Sequence, residues 1–308
     1  MTENKLKLGI PKGSLQEYTL KIFKSAGFDI DIPERGYFFK IDDPEIECFL
    51  LRPQEIPKYI EKGKLDLGIS GDDWILESKA KIVDEASASS PPFANARVIE
   101  VCDLKYAKKE IKKVKWVLAV PQSSKIKSVK DLEGKTISTE AVNLVKDYLK
   151  KNKVKARVEF SWGTTEVKPP RFADAICDIT ETGASLKAHN LKVIDTILTS
   201  STKLIANKFA WQDKWKKEKI KDLALLLQGA VKGEEVVNLM MHIPGGKLNR
   251  ILKILPKLKT PTIKKIAGEN WYDVTIGCKE KDTRELIPKL KRMGAQGIVE
   301  WPVMKIVP

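Results

Sequence analysis

ADAICDITETGASL, at residues 173–186, combines a short apolar run with a polar, glycine-containing turn. The apolar half predicts a buried β-strand, and Gly183 with its polar neighbours predicts a turn into a helix. A related pattern occurs at residues 65–75, which read LDLGISGDDWI. Two strand–glycine–helix units indicate an α/β protein whose ligand cleft lies at the carboxyl ends of its strands.

The polar half of the first stretch suits a phosphorylated sugar. Asp178 and Glu181 stand at the predicted strand end, and a carboxylate can accept hydrogen bonds from two neighbouring ribose hydroxyls. Residues 182–185 offer backbone N–H groups and hydroxyls for a phosphate at the start of a helix. Gly183 permits a positive φ and a close ligand approach. An ordinary βα turn with a Ser or Thr helix cap would explain the same residues.

The chain around these units has the pattern of a two-lobed protein. Apolar runs at residues 5–10, 45–51 and 114–120 predict further strands, with helices between them. The segment 128–154 has the strand and helix order of two-lobed ligand-binding proteins. We therefore expect a two-lobed α/β domain over residues 1–227. Its lobe I covers about residues 1–100 plus 205–227, and its lobe II covers about 101–204.

Residues 228–308 follow a different pattern. We expect a helix at 231–236, and then strands and helices in the order βαββαβ. This order predicts a small α+β domain of ferredoxin-like or ACT-like type. The four predicted strands are 237–243, 260–268, 271–278 and 295–303, and the two predicted helices are 245–258 and 283–294.

The balance of charge is strongly basic. The 308 residues include 56 Lys and Arg against 41 Asp and Glu, a formal net charge of +15. Such a balance fits nucleic acid, an anionic membrane, small polyanions or a solvated lysine-rich surface. The charge is spread over both predicted domains. The chain also lacks an RNP-like motif, a zinc finger or aromatic residues between its basic runs, so we expect no nucleic-acid partner.

The scarcity of His and the spacing of Cys exclude several classes. His189 and His242 are the two histidines, so no HExxH zinc site exists and a Ser-His-Asp triad would depend on one of them. The four cysteines form no CxxC pair and no dense disulfide framework. No apolar run reaches the ~20 residues of a membrane span. The first residues lack the apolar core of a signal peptide, so we expect a cytoplasmic protein without membrane contact.

Several blocks occur together in one order along the chain. They are GIPKGSL (9–15), LRPQEIP (51–57), GKLDLGISGDD (63–73), WGTTEVKPPRFADAICDITETGASL (162–186) and LIANK (204–208). In sequence and order they closely resemble ATP phosphoribosyltransferase. Residues 238–268 resemble the regulatory domain of its long form. The resemblance implies a periplasmic-binding-protein-like catalytic core at 1–227 and a histidine-binding regulatory domain at 228–308.

The family resemblance implies a reaction. The phosphoribosyl group of phosphoribosyl pyrophosphate (PRPP) would pass to N1 of ATP with inversion at C1′ and release of pyrophosphate, the first step of histidine biosynthesis. Displacement at an anomeric carbon requires orientation and charge stabilisation rather than a protein nucleophile or a histidine. The family also implies Mg²⁺, which we expect to bind through substrate phosphates.

Site residues follow from the resemblance by position. PRPP is expected at Glu166, Asp178, Thr180, Glu181, Thr182, Gly183, Ala184, Ser185 and Leu186. ATP is expected at Lys12, Gly13, Arg52, Asp66 and Gly71. A surface glutamate is the simpler interpretation of Glu166, and a polar residue beside a strand is that of Asp66. Ser14 departs from the family, because many members have Arg there.

The long form implies feedback regulation and assembly. Histidine, as the inhibitor, is expected at His242, Leu258, Thr260, Thr262 and Gly297. His242 stands where some members have Asp, and a hydrogen-bonded histidine at a strand end is the simpler interpretation. The family also implies dimers that assemble into hexamers.

A second hypothesis is a two-lobed protein that binds a small ligand without catalysis. Residues 128–138, which read SVKDLEGKTIS, resemble solute-binding proteins. Secretion would normally require a signal peptide, and fold analogy alone does not decide function.

Overall fold

The computed structural model describes residues 5–32, 38–80, 82–84, 97–104, 114–256 and 260–307. The chain forms two compact units. The first unit comprises residues 1–24 and 28–224, and the second comprises 25–27 and 225–308. Within the described residues, no helix is both long and apolar enough to cross a membrane.

Lobe I of the first unit is a mixed sheet with short helices. Its elements are β1 (Leu6–Pro11), α1 (Gln16–Ala26), β2 (Ile30–Asp31), β3 (Phe38–Ile41), β4 (Ile46–Leu51), α2 (Ile56–Glu61), β5 (Leu67–Gly71), α3 (Asp72–Ser78), β6 (Ile82–Asp84) and β7 (Val98–Asp103). β1 lies parallel to β4 and β5 at the centre of the sheet. β5 is buried along its whole length, as expected for a central strand covered on both faces.

Lobe II is a separate mixed sheet. Its elements are β8 (Val114–Pro121), β9 (Thr136–Thr139), α4 (Val142–Lys151), β10 (Arg157–Phe160), β11 (Ala175–Thr180), α5 (Ala184–Ala188) and β12 (Leu191–Ser200). The strand order is β10-β9-β11-β8-β12. β9, β10 and β11 are mutually parallel, so their carboxyl ends meet at one edge. Trp116, Leu118, Ile137 and Val145 lie in the core of this lobe.

The chain then returns to lobe I. It continues through β13 (Thr202–Asn207), α6 (Lys208–Gln212) and α7 (Lys214–Gly233). β13 enters the lobe I sheet between β5 and β7 and runs antiparallel to both. Because β13 follows lobe II in the chain but pairs within the lobe I sheet, lobe I is discontinuous in sequence. This arrangement confirms the predicted two-lobed α/β core.

The second unit carries the small domain. After α7 come β14 (Val236–Pro244), α8 (Leu248–Leu252), β15 (Thr262–Lys265), β16 (Trp271–Lys279), α9 (Glu280–Met293) and β17 (Gln296–Pro302). The order β15-β16-β14-β17 is fully antiparallel. Residues 237, 239, 241 and 243 of β14 are buried, and those between them face the other side. The predicted ferredoxin-like βαββαβ domain is therefore confirmed.

Two predicted helices of this unit are wrong in extent. The helix expected at 231–236 ends at Gly233 as the last turn of α7, and β14 begins at Val236. The helix expected at 245–258 has α-helical structure only from Leu248 to Leu252 within the described residues. Glycines at its start and Pro256 after it explain the difference, because glycine weakens a helix and the residue before proline avoids the helical region.

Candidate functional site

A cleft of about 490 Å³ lies between the two lobes. Ser14, Pro53 and Gly71 line it from lobe I, and residues between Ile179 and Ser185 line it from lobe II. The crossing segment at residues 200–202 also lines the cleft. Its walls therefore come from the carboxyl ends of β5 and β11, where ligands bind in open α/β sheets.

The loop after β11, which we call the donor loop (residues 178–186), is open at its glycine. Gly183 has φ +77°, and an added Cβ would meet no atom within 4 Å. The N–H of Gly183 donates to Thr180 Oγ1 at 2.9 Å, which fixes the turn. Helix α5 then begins at Ala184, and the first N–H groups of a helix have no intrahelical acceptor. The loop thus presents backbone donors beside the cleft.

The predicted PRPP residues differ in what they can offer a ligand. Thr180, Glu181, Thr182, Ala184 and Ser185 line the cleft. The Leu186 side chain is only 3% exposed and packs with the lobe II core. Any contact of Leu186 with a ligand would therefore use its backbone.

Asp178 lies next to the cleft lining and carries an unusual carboxyl group. Burial raises its pKa to about 6, and the negative charges of Glu166 and Glu140 act in the same direction. The N–H of Ile179 donates to Asp178 Oδ1 at 2.7 Å and opposes the shift. The carboxylate is therefore held half-buried among other acids, a position that favours a polar or cationic neighbour.

Glu166 is joined to the donor loop. Ser185 Oγ donates to Glu166 Oε1 at 2.6 Å, and this hydrogen bond lowers the pKa of Glu166. Glu166 sits on a 3₁₀ turn that follows Gly163 and Thr164, which both have positive φ. The structure therefore brings Glu166 to the loop with which sequence comparison grouped it.

The charge of Arg52 acts on Glu140 across the lobes. Arg52 follows β4 in lobe I, and Glu140 follows β9 in lobe II. Burial raises the pKa of Glu140, and the charge of Arg52 partly offsets that effect. Sequence reasoning missed Glu140, although this acidic residue directly follows β9 as Glu181 directly follows β11.

Lys12 and Gly13 form the turn after β1. The Lys12 N–H donates to the Leu51 carbonyl at 2.7 Å, and Gly13 has φ +95° with open space where a Cβ would stand. The next residue, Ser14, lines the cleft. This turn therefore lies at the lobe I side of the site.

Gly71 stands in the cleft wall, close to one of the protein's own carboxylates. An added Cβ at Gly71 would stand 2.1 Å from Asp73 Oδ1. Asp73 is 3% exposed, and Trp116 Nε1–H donates to its Oδ2 at 2.7 Å. Because Gly71 has no side chain, the buried carboxylate of Asp73 fits beside it.

The structure does not bring Asp66 to the cleft. Asp66 precedes β5, whereas the cleft lies beyond the other end of that strand, about 16 Å away at the usual rise per residue. Its carboxylate accepts from Lys216 Nζ at 2.8 Å and from the Lys7 N–H at 2.9 Å. This placement corrects the expectation that Asp66 contacts ATP, and it supports the simpler interpretation of a polar residue beside a strand.

In the second unit, two of the predicted effector residues are adjacent. An added Cβ at Gly297, which has φ +54°, would stand 3.4 Å from His242 Nδ1. Thr262 pairs with Thr275 of β16, which in turn pairs with Met240 of β14. Thr262 therefore faces the same side of the sheet as His242, about 12 Å away across β16. Thr260 precedes β15, and Leu258 lies outside the described residues.

Metal-ligating side chains are sparse in the described part of the chain. No group of three or more His, Cys, Asp or Glu residues there could hold a metal ion. The negative charges of Glu166 and Glu140 nevertheless contribute to the raised pKa of Asp178. A cation bound partly by substrate oxygens suits this arrangement better than a cage made by the protein alone.

Comparison with known proteins agrees with this geometry. A model of the ATP phosphoribosyltransferase family matches residues 52–229, and a model of the C-terminal domain of the same family matches 234–305. The ATP phosphoribosyltransferase of Thermodesulfovibrio yellowstonii is 53% identical over 308 residues, which is 100% of both chains. The chain belongs to the ATP phosphoribosyltransferase family. The C-terminal match identifies the long form, and the family catalyses the first step of histidine biosynthesis.

Further relatives support the same membership. The ATP phosphoribosyltransferase of Chlorobium phaeobacteroides is 51% identical and covers 99% of this chain and 98% of its own. A solved structure, the ATP phosphoribosyl transferase (HisG:HisZ) complex from Thermotoga maritima, matches with a TM-score of 0.57 and 26% identity. It covers 72% of this chain and 98% of its own. Enzymes of this family require a divalent metal.

Proposed function

We propose that the interlobe cleft transfers the phosphoribosyl group of PRPP to N1 of ATP and that the donor loop holds PRPP. The observation that carries this proposal is the loop itself. An open, left-handed Gly183 stands between a half-buried carboxylate, Asp178, and the first turn of α5. Carboxylate, amides and hydroxyls in this order match ribose hydroxyls followed by a 5′-phosphate.

On the donor side, Asp178 and Glu181 accept hydrogen bonds from the ribose hydroxyls. Backbone N–H groups and hydroxyls at residues 182–186 hold the 5′-phosphate. Glu166 orients Ser185 through the 2.6 Å hydrogen bond between their side chains. These contacts fix C1′ while its bond to pyrophosphate breaks, and positioning of this kind supplies much of the rate of a two-substrate displacement.

On the acceptor side, the turn at Lys12 and Gly13 and the residue Arg52 hold the triphosphate of ATP. Arg52 already compensates the charge of Glu140 in the opposite lobe. Bound ATP would place N1 of the adenine towards C1′ of the donor. Because the attacking nitrogen belongs to the substrate, the protein needs no nucleophile of its own.

Mg²⁺ is the proposed divalent metal. Bound to pyrophosphate oxygens, it would offset the negative charge that builds on the leaving group. Asp178 and Glu166 are the carboxylates that could share it, because their oxygens are the hard ligands that Mg²⁺ prefers.

The activity is tested by following phosphoribosyl-ATP through its ultraviolet absorbance with PRPP, ATP and Mg²⁺. We expect product only when all three are present. Calorimetric titration of Mg²⁺ should detect tight binding only with PRPP present. Absence of product from metal-replete, folded protein would contradict the proposal, and tight Mg²⁺ binding to the free chain would contradict substrate-borne metal.

Feedback inhibition by histidine is the proposed role of the second unit, with residues 228–308 as the regulatory domain after a catalytic domain at 1–227. The support is the outward face of its sheet, where His242 meets Gly297 and Thr262 faces the same side. Such a face offers ring nitrogen and hydroxyl groups to a zwitterionic amino acid. Leu258 and Thr260 complete the proposed residue set.

His242→Ala should raise the histidine concentration for half-inhibition at least tenfold and leave uninhibited turnover unchanged. Lys289→Ala is the matched control, because Lys289 lies on α9, exposed and on the helical side of the domain. Equal inhibition of both variants would move the effector site elsewhere.

A cytoplasmic homo-oligomer, dimer to hexamer, completes the proposal. Its support is the family membership and the small polyanionic substrates, which are intracellular metabolites. Light scattering with and without histidine would measure the assembly, and a monomer under all conditions would contradict it.

A further inference from the structure

Helix α3 belongs to lobe I, but its polar groups contact lobe II and the crossing segment. Asp73 Oδ2 accepts from Trp116 Nε1–H of lobe II at 2.7 Å. Its own N–H donates to Ser200 Oγ at 3.2 Å, at the end of β12 where the chain crosses between the lobes. One residue of α3 therefore joins lobe I, lobe II and the crossing segment.

The position of the Asp73 carboxylate is fixed on every side. Its Oδ1 accepts from the Trp74 N–H at 3.0 Å, and the Trp74 and Trp116 rings pack edge to face at 5.6 Å between centroids. Gly71 leaves just enough room for Oδ1. Burial raises the pKa of this acid. Burial of a carboxylate is costly unless hydrogen bonds compensate it, and Asp73 accepts these bonds from both lobes.

Neighbouring contacts hold the same junction. Asp72 Oδ2 accepts from the N–H and the hydroxyl of Ser201, both at 3.0 Å. One turn later, Glu77 Oε2 accepts from the Leu144 N–H at 2.9 Å, at the start of α4 in lobe II. Helix α3 therefore contacts the crossing segment through Asp72 and α4 through Glu77, and Asp73 lies between these two residues.

We propose that the Asp73–Trp116 hydrogen bond sets the angle between the lobes at which C1′ of PRPP faces N1 of ATP. This inference rests on the proposed function, in which lobe II holds the donor and lobe I the acceptor. Asp73 is a positioning residue in this proposal, since its two carboxylate oxygens accept hydrogen bonds from Trp74 and Trp116. Reacting atoms must approach to about 3–3.5 Å in line, and misplacement by about 1 Å can lower the rate ~100-fold.

The test uses Trp116→Phe in the full chain, which removes the N–H donor and keeps an aromatic ring. Leu132→Ala is the matched control, because Leu132 is buried in the same lobe II core but belongs to a 3₁₀ turn away from α3. We expect kcat of Trp116→Phe to fall about 10- to 100-fold. The dissociation constant of PRPP should stay within about twofold, because the donor loop is intact, and the control should lose stability without losing kcat.

Asp73→Asn supplies a second variant, and the double variant with Trp116→Phe should lower kcat no further than the stronger single change. Distances between spin labels on the two lobes provide a readout that does not depend on turnover. We expect the interlobe distance distribution to broaden in both variants. An unchanged distribution, additive effects, or a parallel loss of PRPP binding would overturn the inference. Absence of turnover in the wild type would instead contradict the proposed function.

Discussion

The strand–glycine–helix units at 65–75 and 173–186 read alike but use their glycines in opposite ways. At Gly71 an added Cβ would stand 2.1 Å from the carboxylate of Asp73, within the protein. At Gly183 an added Cβ would meet nothing within 4 Å, but φ is +77°. The first glycine makes room for an internal contact, and the second gives the backbone a conformation that leaves space for a ligand.

This difference agrees with the burial of the two strands. β5 is buried from Leu67 to Gly71, whereas β11 is buried for three residues and then opens towards the cleft. The two lobes therefore contribute differently to the site. The end of β5 contacts the junction between the lobes, and the end of β11 lines the cleft.

The largest expected effect is on substrate use at residues 173–186, the segment that contains the open glycine. Asp178→Asn should lower kcat/KM for PRPP about 100-fold, because a charged acceptor for the ribose hydroxyls contributes about 1.5–3 kcal/mol per hydrogen bond. Steady-state kinetics with PRPP varied measures this, and thermal unfolding checks the fold. A change below threefold would remove Asp178 from the donor site.

The next effect is on stability and concerns residues 65–75, where Gly71 adjoins Asp73. Gly71→Ala should lower the free energy of unfolding by about 1–3 kcal/mol, the usual cost of overpacking, because the new methyl group displaces Asp73. Urea unfolding measures it, and kcat should fall as well. An unchanged midpoint would show that the carboxylate moves away freely and would break the proposed contrast between the glycines.

A smaller stability effect is expected at the open glycine. Gly183→Ala should cost about 1–2 kcal/mol, because a left-handed conformation is unfavourable for alanine although the space is free. PRPP binding should weaken with little change in the affinity for ATP. Calorimetric titration of each substrate distinguishes these results, and equal losses for both would argue against a donor-specific loop.

The last prediction concerns the dependence of stability on pH. The pKa of Asp178 is raised to about 6 in the folded chain from about 3.9 in an unfolded one, so the folded state binds the proton more tightly. Stability relative to Asp178→Asn should therefore fall as the pH rises from about 4 to about 6, and then stay level. Denaturant unfolding across this range measures the difference. A relative stability that rises over the same interval would contradict the raised pKa.

Much of this arrangement could be predicted from the sequence. Apolar runs and glycine turns are local features, so both lobes and the ferredoxin-like domain were predictable in type. Family resemblance predicted a PRPP site at the donor loop, because the residues of the loop are contiguous. The pairing of Glu166 with Ser185 required that resemblance, since 19 residues separate them.

Other features depend on contacts between distant residues. The structural role of Asp66 could not be predicted from its own segment, because its partner Lys216 lies 150 positions away in the chain. Asp73 was unremarked because its partner Trp116 lies in the other lobe. Nothing local in DLGISGDDWI distinguishes a glycine that admits a ligand from one that admits a neighbouring carboxylate. Two helices of the second unit were also predicted to extend too far, because the apolar pattern continues past the Gly and Pro residues that end them.

A crystal structure of the full chain with PRPP and Mg²⁺ tests the assignment of the donor loop most directly. We expect ribose hydroxyls within hydrogen-bond distance of Asp178 or Glu181 and the 5′-phosphate against the backbone N–H groups of residues 182–186. PRPP bound in lobe I, with the donor loop empty, would contradict it.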